Sequence, residues 1–327
     1  MQIKSLKIFG AFFAIYFIWG TTFLAIRFAV DTIPPFLMMG TRFSLAGSLL
    51  FIISSIRNYQ RPSLLDIKKA AITGTFMVFL GYSTLSWAQQ YINSGLAALM
   101  LATIPIWMVL IDWLVLKGSR PSLPTIIGII VGFIGVAIIT RVDEKSFIKL
   151  SVTPELALIT CLITIFSALV FAIGSLYVKN VTIKISLLSF IGLQMILGGI
   201  ALIILGIVSG EVTQDLFENI TLNSGLSLFY LIIVGTTIAH SSYFWLLKVS
   251  TPAKVSTYAF FNPIVAIFVG WIIAGENIDG KLILGMITIL IAILLVIRPL
   301  GKVKVFEIVQ KFKNSYQAYI SIIKEIK

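Results

Sequence analysis

The sequence predicts an all-α integral membrane protein, with ten transmembrane helices in two inverted five-helix repeats and both termini on the inner side. Three observations predict it. Of 327 residues, 58% are hydrophobic and 12% charged, and mean hydropathy is +1.04; soluble domains are about half apolar and a quarter charged. Apolar runs of roughly the 20 residues that span a bilayer occur ten times. The second half of the chain repeats the first in register. This composition excludes a soluble enzyme, a disordered chain and a secreted disulfide scaffold. One cysteine, Cys161, cannot form an internal disulfide.

The first span covers 8–27. It is too long for a signal peptide's apolar core and lacks an Ala-x-Ala-like cleavage site. Pro34-Pro35 separates it from the second span, 35–56, whose Arg42 lies about two turns in. An intramembrane charge is a functional-site hypothesis by default. Arg42 can fork onto a carboxylate or phosphate, or serve as a structural residue bonded to helix ends. In the third span, 70–91, Tyr82, Ser86 and Gln90 form a polar stripe at helical spacing. The fourth, 95–116, carries Pro105 near its middle and Asp112 before Lys117. Asp112 is either a proton-coupling acid or an interfacial partner of a lysine.

Gly118 to Pro121 turns the chain into the fifth span, 122–140. Its Gly128, Gly132 and Gly135 form a close-contact face, serving either an intramolecular packing or a homodimer. The sixth and seventh spans cover 155–178 and 185–209. The eighth, 225–247, contains His240, the chain's one histidine, which suits a proton relay, a substrate contact or a packing hydrogen bond. The ninth, 255–274, carries Tyr258, Asn262 and Pro263. Gly275 to Gly280 leads to the tenth, 281–298. The segment 301–327 is a basic amphipathic tail suited to anionic lipid on the inner leaflet.

Orientation follows from Lys and Arg, which concentrate on cytoplasmic loops. With the N-terminus inside, 19 fall inside and 5 outside, and nine of the 13 acids fall outside. The net charge of +12 therefore needs no nucleic acid.

The third to fourth and eighth to ninth spans align at an offset of 158, matching Ser83 with Ser241, Trp87 with Trp245, Pro105 with Pro263, and Trp113 with Trp271. The openings of the halves align at 152, placing Trp19 on Phe171, Arg42 on Gln194, and Gly47 on Gly199. The repeats run over 8–140 and 155–298. Five spans per repeat is odd, so the second copy enters from the opposite side. Inverted repeats of this kind are a transporter architecture, and interrupted helices at matching places point to the substrate site. Pro105 and Pro263 are therefore candidate helix breaks for a site or a gate, or kinks needed for packing. Tyr82, His240, Tyr258 and Asn262 are candidate cavity residues. Trp19, Trp87 and Trp245 are candidates for stacking on a ligand, or belt residues.

The run Trp19-Gly20-Thr21-Thr22-Phe23 with Arg27, the Pro34-Pro35 step and Arg42 resembles the first repeat of EamA-type proteins, ten-helix members of the drug/metabolite transporter superfamily. Trp87, Gly95-Leu96-Ala97-Ala98, Pro105, Lys117 with Arg120-Pro121, and Glu276 sit where that family carries similar residues. The resemblance implies a central cavity between two repeats and transport of a small-molecule substrate. Family members move amino acids, other metabolites, sugars, nucleosides or drugs, many of them outward. Phe171-Ala172 departs from the usual Trp opening of the second repeat, and the tail is long.

Metalloprotease, nucleophile-elbow and Walker signatures are absent from the sequence. The expectation is a non-enzymatic secondary carrier without cofactor or metal, in a bacterial or archaeal plasma membrane. It exports an amino acid or related polar metabolite. A multidrug or organic-cation exporter and a passive facilitator or channel are the alternatives. The first span has no acid, which argues against antiport through a first-helix glutamate.

Overall fold

The computed structural model describes residues 2–58, 60–91, 97, 100–140, 153–213, 216, 218–274 and 280–297. The tail at 301–327 with its lipid partner, Glu276, and most of the Gly95 to Ala98 turn lie outside the described residues. Among the described residues all regular structure is helical.

Helix α1 comprises Gln2–Phe13, a wide π segment at Ala14–Ile18, and Trp19–Val30. Helix α2 is Pro35–Asn58. Helix α3 runs through Leu64–Gly74, a π segment at Thr75–Tyr82, and Ser83–Ala88. Helices α4 and α5 are Ile104–Leu114 and Leu123–Thr140. In the second half, α6 is Pro154–Asn180 and α7 is Leu187–Val208. Helix α8 runs through Leu222–Tyr230, a π segment at Leu231–Ile238, and Ala239–Val249. Helix α9 opens with Pro252–Ser256 and continues as Tyr258–Ala274, and α10 is Gly280–Ile297.

Five runs among the described residues have the length and apolarity to cross a membrane: Leu6–Val30, Pro35–Arg57, Leu158–Asn180, Leu187–Val208 and Leu222–Val249. Ile104–Leu114, Leu123–Ile138 and Ile283–Val296 are shorter apolar helices. On α5 and α10 the exposed large hydrophobic residues are Leu123, Ile126, Ile127, Ile130 and Ile134, and Ile283, Leu284, Ile287, Leu290, Ile291 and Leu294. Each set is one helical stripe of large aliphatic side chains, the reverse of a soluble protein's polar face.

Helix α3 starts earlier than hydropathy alone predicts. Ser63 and Asp66 form a reciprocal capping box around its first turn, satisfying donors that would otherwise be orphaned. Thr221, 158 positions after Ser63, caps α8 by accepting from Ser224 N, without the reciprocal bond. Asp66 Oδ1 also accepts from Lys184 N, just beyond α6, while Ser224 Oγ donates to Phe28 O near the end of α1. Each half's third helix is thus tied to the end of the other half's first.

Helices α2 and α7 form the tightest seam. A Cβ at Gly47 would stand 2.7 Å from the Gly192 carbonyl oxygen, and one at Gly192 would stand 2.7 Å from that of Gly47. At Gly40 and Gly199 the reciprocal distances are both 2.9 Å. Only glycine permits such backbone approach. Shifting by 152 carries Gly40 to Gly192 and Gly47 to Gly199, so exchanging the halves turns one contact into the other. Glu211 closes one end of the seam by accepting from Phe36 N and Leu37 N at 3.1 and 2.8 Å, at the positive end of α2.

The small face of α5 is used within the molecule. Gly128 approaches Ala292 and Val296 of α10, Gly135 approaches Ile289, and Gly132 lies under the Phe260 ring of α9. Pro105 marks an interruption of the fourth span, which is helical at 100–101, turns at 102–103 and is helical again from Ile104. It sits in the first turn of α4, after a turn at Ala102–Thr103, where the missing N–H would have no intrahelical partner. Pro263 does lie inside its helix.

Candidate functional site

A cavity of about 70 Å³ available to the centres of water molecules lies between the halves. It is lined by Trp19, Thr22, Phe23 and Ile26 of α1, Arg42 of α2, and Gly81, Tyr82 and Leu85 of α3. Leu101, Ile104, Ser167, Phe171, Tyr258 and Asn262 complete it from around α4, α6 and α9.

The π segments shape this site. Widening a helix by one residue releases carbonyl groups from the normal ladder. In α8, Gly235 O accepts from Trp19 Nε1 at 3.1 Å, with His240 Nδ1 3.4 Å away. In α3, Gly81 O accepts from Ser167 Oγ at 2.7 Å. Each first helix therefore holds the third helix of the other half by a freed carbonyl. Asn262 belongs to the same pattern: with its amide nitrogen directed inward, it donates to Tyr16 O in the π segment of α1 at 3.0 Å and to Tyr258 O at 3.1 Å.

Arg42 is 1% exposed. Its Nε donates to Thr236 Oγ1 at 2.6 Å, and Nη1 faces Met39 Sδ at 3.8 Å. The guanidinium carbon lies 5.2 Å from the Phe43 ring centre and 5.8 Å from that of Tyr82. No carboxylate among the described residues pairs with it. Tyr82 Oη lies 3.1 Å from His240 Nε2. In the tautomer that donates Nδ1–H to Gly235 O, Nε2 accepts from the tyrosine. His240 stands behind Tyr82 and outside the cavity wall. Trp19 is enclosed by Tyr258, His240, Tyr243 and Phe171, with ring centres 4.6, 4.9, 5.0 and 6.4 Å away.

The cavity gathers Trp19, Arg42, Tyr82, Tyr258 and Asn262, with His240 in contact. Trp87 does not reach it and packs on Tyr91 at 4.8 Å. Trp245 is half-buried against the core, also outside the lining. Asp112 lies elsewhere, 3.5 Å from Lys179 Nζ. Sequence reasoning missed Ser167, Thr22 and Thr236. Ser167 lies one turn before Phe171, the repeat mate of Trp19, and that spacing was the available signal.

A second cavity, about 480 Å³, is lined by Asp112, Arg120, Lys179, Thr251 and Lys254 among others. It follows the same three helices as the first. Ile104 and Asp112 on α4, and Phe171 and Lys179 on α6, are eight residues apart, or roughly 12 Å of helix. Met108, Leu176 and Val255 are buried between and belong to one cluster with Phe171 and Tyr258.

The chain matches the EamA-like transporter family over residues 7–141 and 158–298. It is 30% identical over 300 residues to the uncharacterized inner membrane transporter YedA of Escherichia coli K12, covering 91% of this chain and 92% of that protein. It is 24% identical over 289 residues to the uncharacterized transporter YoaV of Bacillus subtilis 168, covering 86% and 94%. A protein of known crystal structure shares the fold with a TM-score of 0.72 at 16% identity, over 89% of this chain and 96% of that one. The chain is a multi-pass inner-membrane transporter of the EamA-like family.

Proposed function

We propose that this transporter is a secondary carrier for a small polar metabolite, working by alternating access of two inverted halves, 8–140 and 155–298. The observation that carries the reading is the pair of separate cavities stacked along α4, α6 and α9, with a buried apolar seal between them. A passive channel needs one continuous path. The reciprocal contacts of Gly40 with Gly199 and Gly47 with Gly192 support a two-fold relation in the membrane plane. Such a relation gives two near-equal conformations by exchanging the roles of the halves. In this reading all ten helices span, both termini face the cytoplasm, and net flow is outward. The second cavity is the inner vestibule, and Asp112 with Lys179 belongs to its gate. The tail at 301–327 rests on anionic lipid.

A ligand-free experiment tests this. In a Cys161→Ser background, a cysteine at Ser167 reports cavity access to a membrane-impermeant maleimide. With α4 and α6 bridged by a short bifunctional thiol reagent through Asp112→Cys and Lys179→Cys, labelling is expected from the outer face alone. The unbridged protein is expected to label from both faces. Equal two-sided labelling in the bridged protein would establish the channel reading instead.

A further inference from the structure

The carrier reading leaves the cargo open, and the charge inventory of the cavity narrows it. Arg42 offers five N–H donors. One meets an oxygen, at Thr236, and another faces a thioether sulfur. A guanidinium buried without a counter-charge is strongly destabilising, yet no acid among the described residues lines the cavity. Of the other polar groups, the Tyr82 hydroxyl meets His240 Nε2, the Tyr258 hydroxyl completes the polar wall, and the rest are committed to the protein's own backbone. Thr22 Oγ1 donates to Trp19 O at 2.6 Å, Ser167 Oγ donates to Gly81 O, and the Asn262 amide bridges α1 and α9. The remaining wall is apolar, from Phe23, Ile26, Leu101 and Phe171.

We propose, resting on the carrier reading, that the cargo is a small organic monocarboxylate whose carboxylate completes the partners of Arg42 and whose compact apolar body fills the wall. One cation matches one anionic group. A zwitterion would bring an ammonium with no anion to meet it, an organic cation would face the uncompensated guanidinium, and a dianion would leave one charge unpaired. This sets the cargo apart from amino acids and from cationic drugs.

The test uses ligand sets that share a body and differ in charge. One set is 4-methyl-2-oxopentanoate, leucine and 3-methylbutylammonium. Parallel sets have a methyl and a benzyl body, and isobutylsuccinate serves as the dianion. Affinities are read by thermal shift of the purified protein in detergent. In at least one set the monoanion is expected to bind about tenfold or more tighter than its zwitterion and cation, the scale of one charge-assisted hydrogen bond. R42Q is expected to erase that preference. R42K, which keeps the charge but loses the fork, is expected to retain part of it and guards against misfolding of R42Q. Tighter binding of the zwitterion, cation or dianion overturns the proposal, as does silence in every set or an R42Q variant with unchanged preference. The two-sided cysteine labelling needs no ligand, so a failed cargo class and a failed carrier reading give different results.

Discussion

Arg42 and Gln194 occupy matching places 152 residues apart, and one difference between them is an oxygen facing Arg42. Arg42 has Thr236 as acceptor; the position 158 before Thr236 is Val78. Gln194 is fully buried, and both its amide atoms lack a partner. Each unsatisfied buried group costs about 1–3 kcal/mol. Gln194→Met keeps the volume and removes both atoms, so the thermal midpoint in detergent should rise, by about 1 kcal/mol in stability. A comparable fall would show that Gln194 finds partners in another conformation. Asp66 makes the opposite case. Its carboxyl sits below the usual range chiefly because Ser63 Oγ donates to it at 2.5 Å, with burial opposing and Lys184 N and Lys69 assisting. A carboxylate lowered in the folded state stabilises fully above its unfolded value of about 3.9 and loses that contribution as pH falls through the lower folded value. Asp66→Asn should flatten the acid limb of a stability–pH profile below about pH 4 and lower the plateau above it.

At the scale of elements, the seam between α2 and α7 tolerates no side chain. A Cβ at Gly192 meets the Gly47 carbonyl and the Phe51 nitrogen, at 2.7 and 2.9 Å. Both are backbone atoms, so the helices themselves must part. Gly192→Ala should destabilise by about 1–3 kcal/mol, whereas Gly225→Ala on α8, with nothing within 4 Å, should be neutral or mildly stabilising. Paired thermal unfolding of the two variants decides the matter. A wild-type midpoint for Gly192→Ala would refute the close seam. The three π segments were not legible in the sequence. A widened turn has no residue signature, and here it is fixed by partners far along the chain: Trp19 for Gly235, Ser167 for Gly81, and Asn262 for Tyr16.

For the whole molecule, hydropathy and the 152 and 158 offsets made the order of helices readable, because apolar length and repetition are local properties of the chain. Arg42, which lines the cavity, was legible because a charge is unusual in a bilayer span, whereas His240 stands behind Tyr82. Trp87 and Trp245 misled because an aromatic ring serves packing as well as binding, and only the packed structure separates the two. Orientation is a property of the molecule as a whole. In a Cys161→Ser background, a cysteine at Ser119 should be labelled by an impermeant maleimide only from the cytoplasmic side, and one at Ser209 only from the other. The reverse pattern would invert the proposed topology.

The Gly40, Gly47, Gly192 and Gly199 seam has a consequence for divergence. Each half presents the same surface to the other, as in an isologous dimer, so the joint is self-complementary and holds whatever else changes. The residues around the cavity have been free to differ: Arg42 against Gln194, Trp19 against Phe171, His240 against Tyr82. In the proposed carrier the one buried cation thus stands on a repeated frame, and the chemistry around it can be exchanged without rebuilding the seam between the halves.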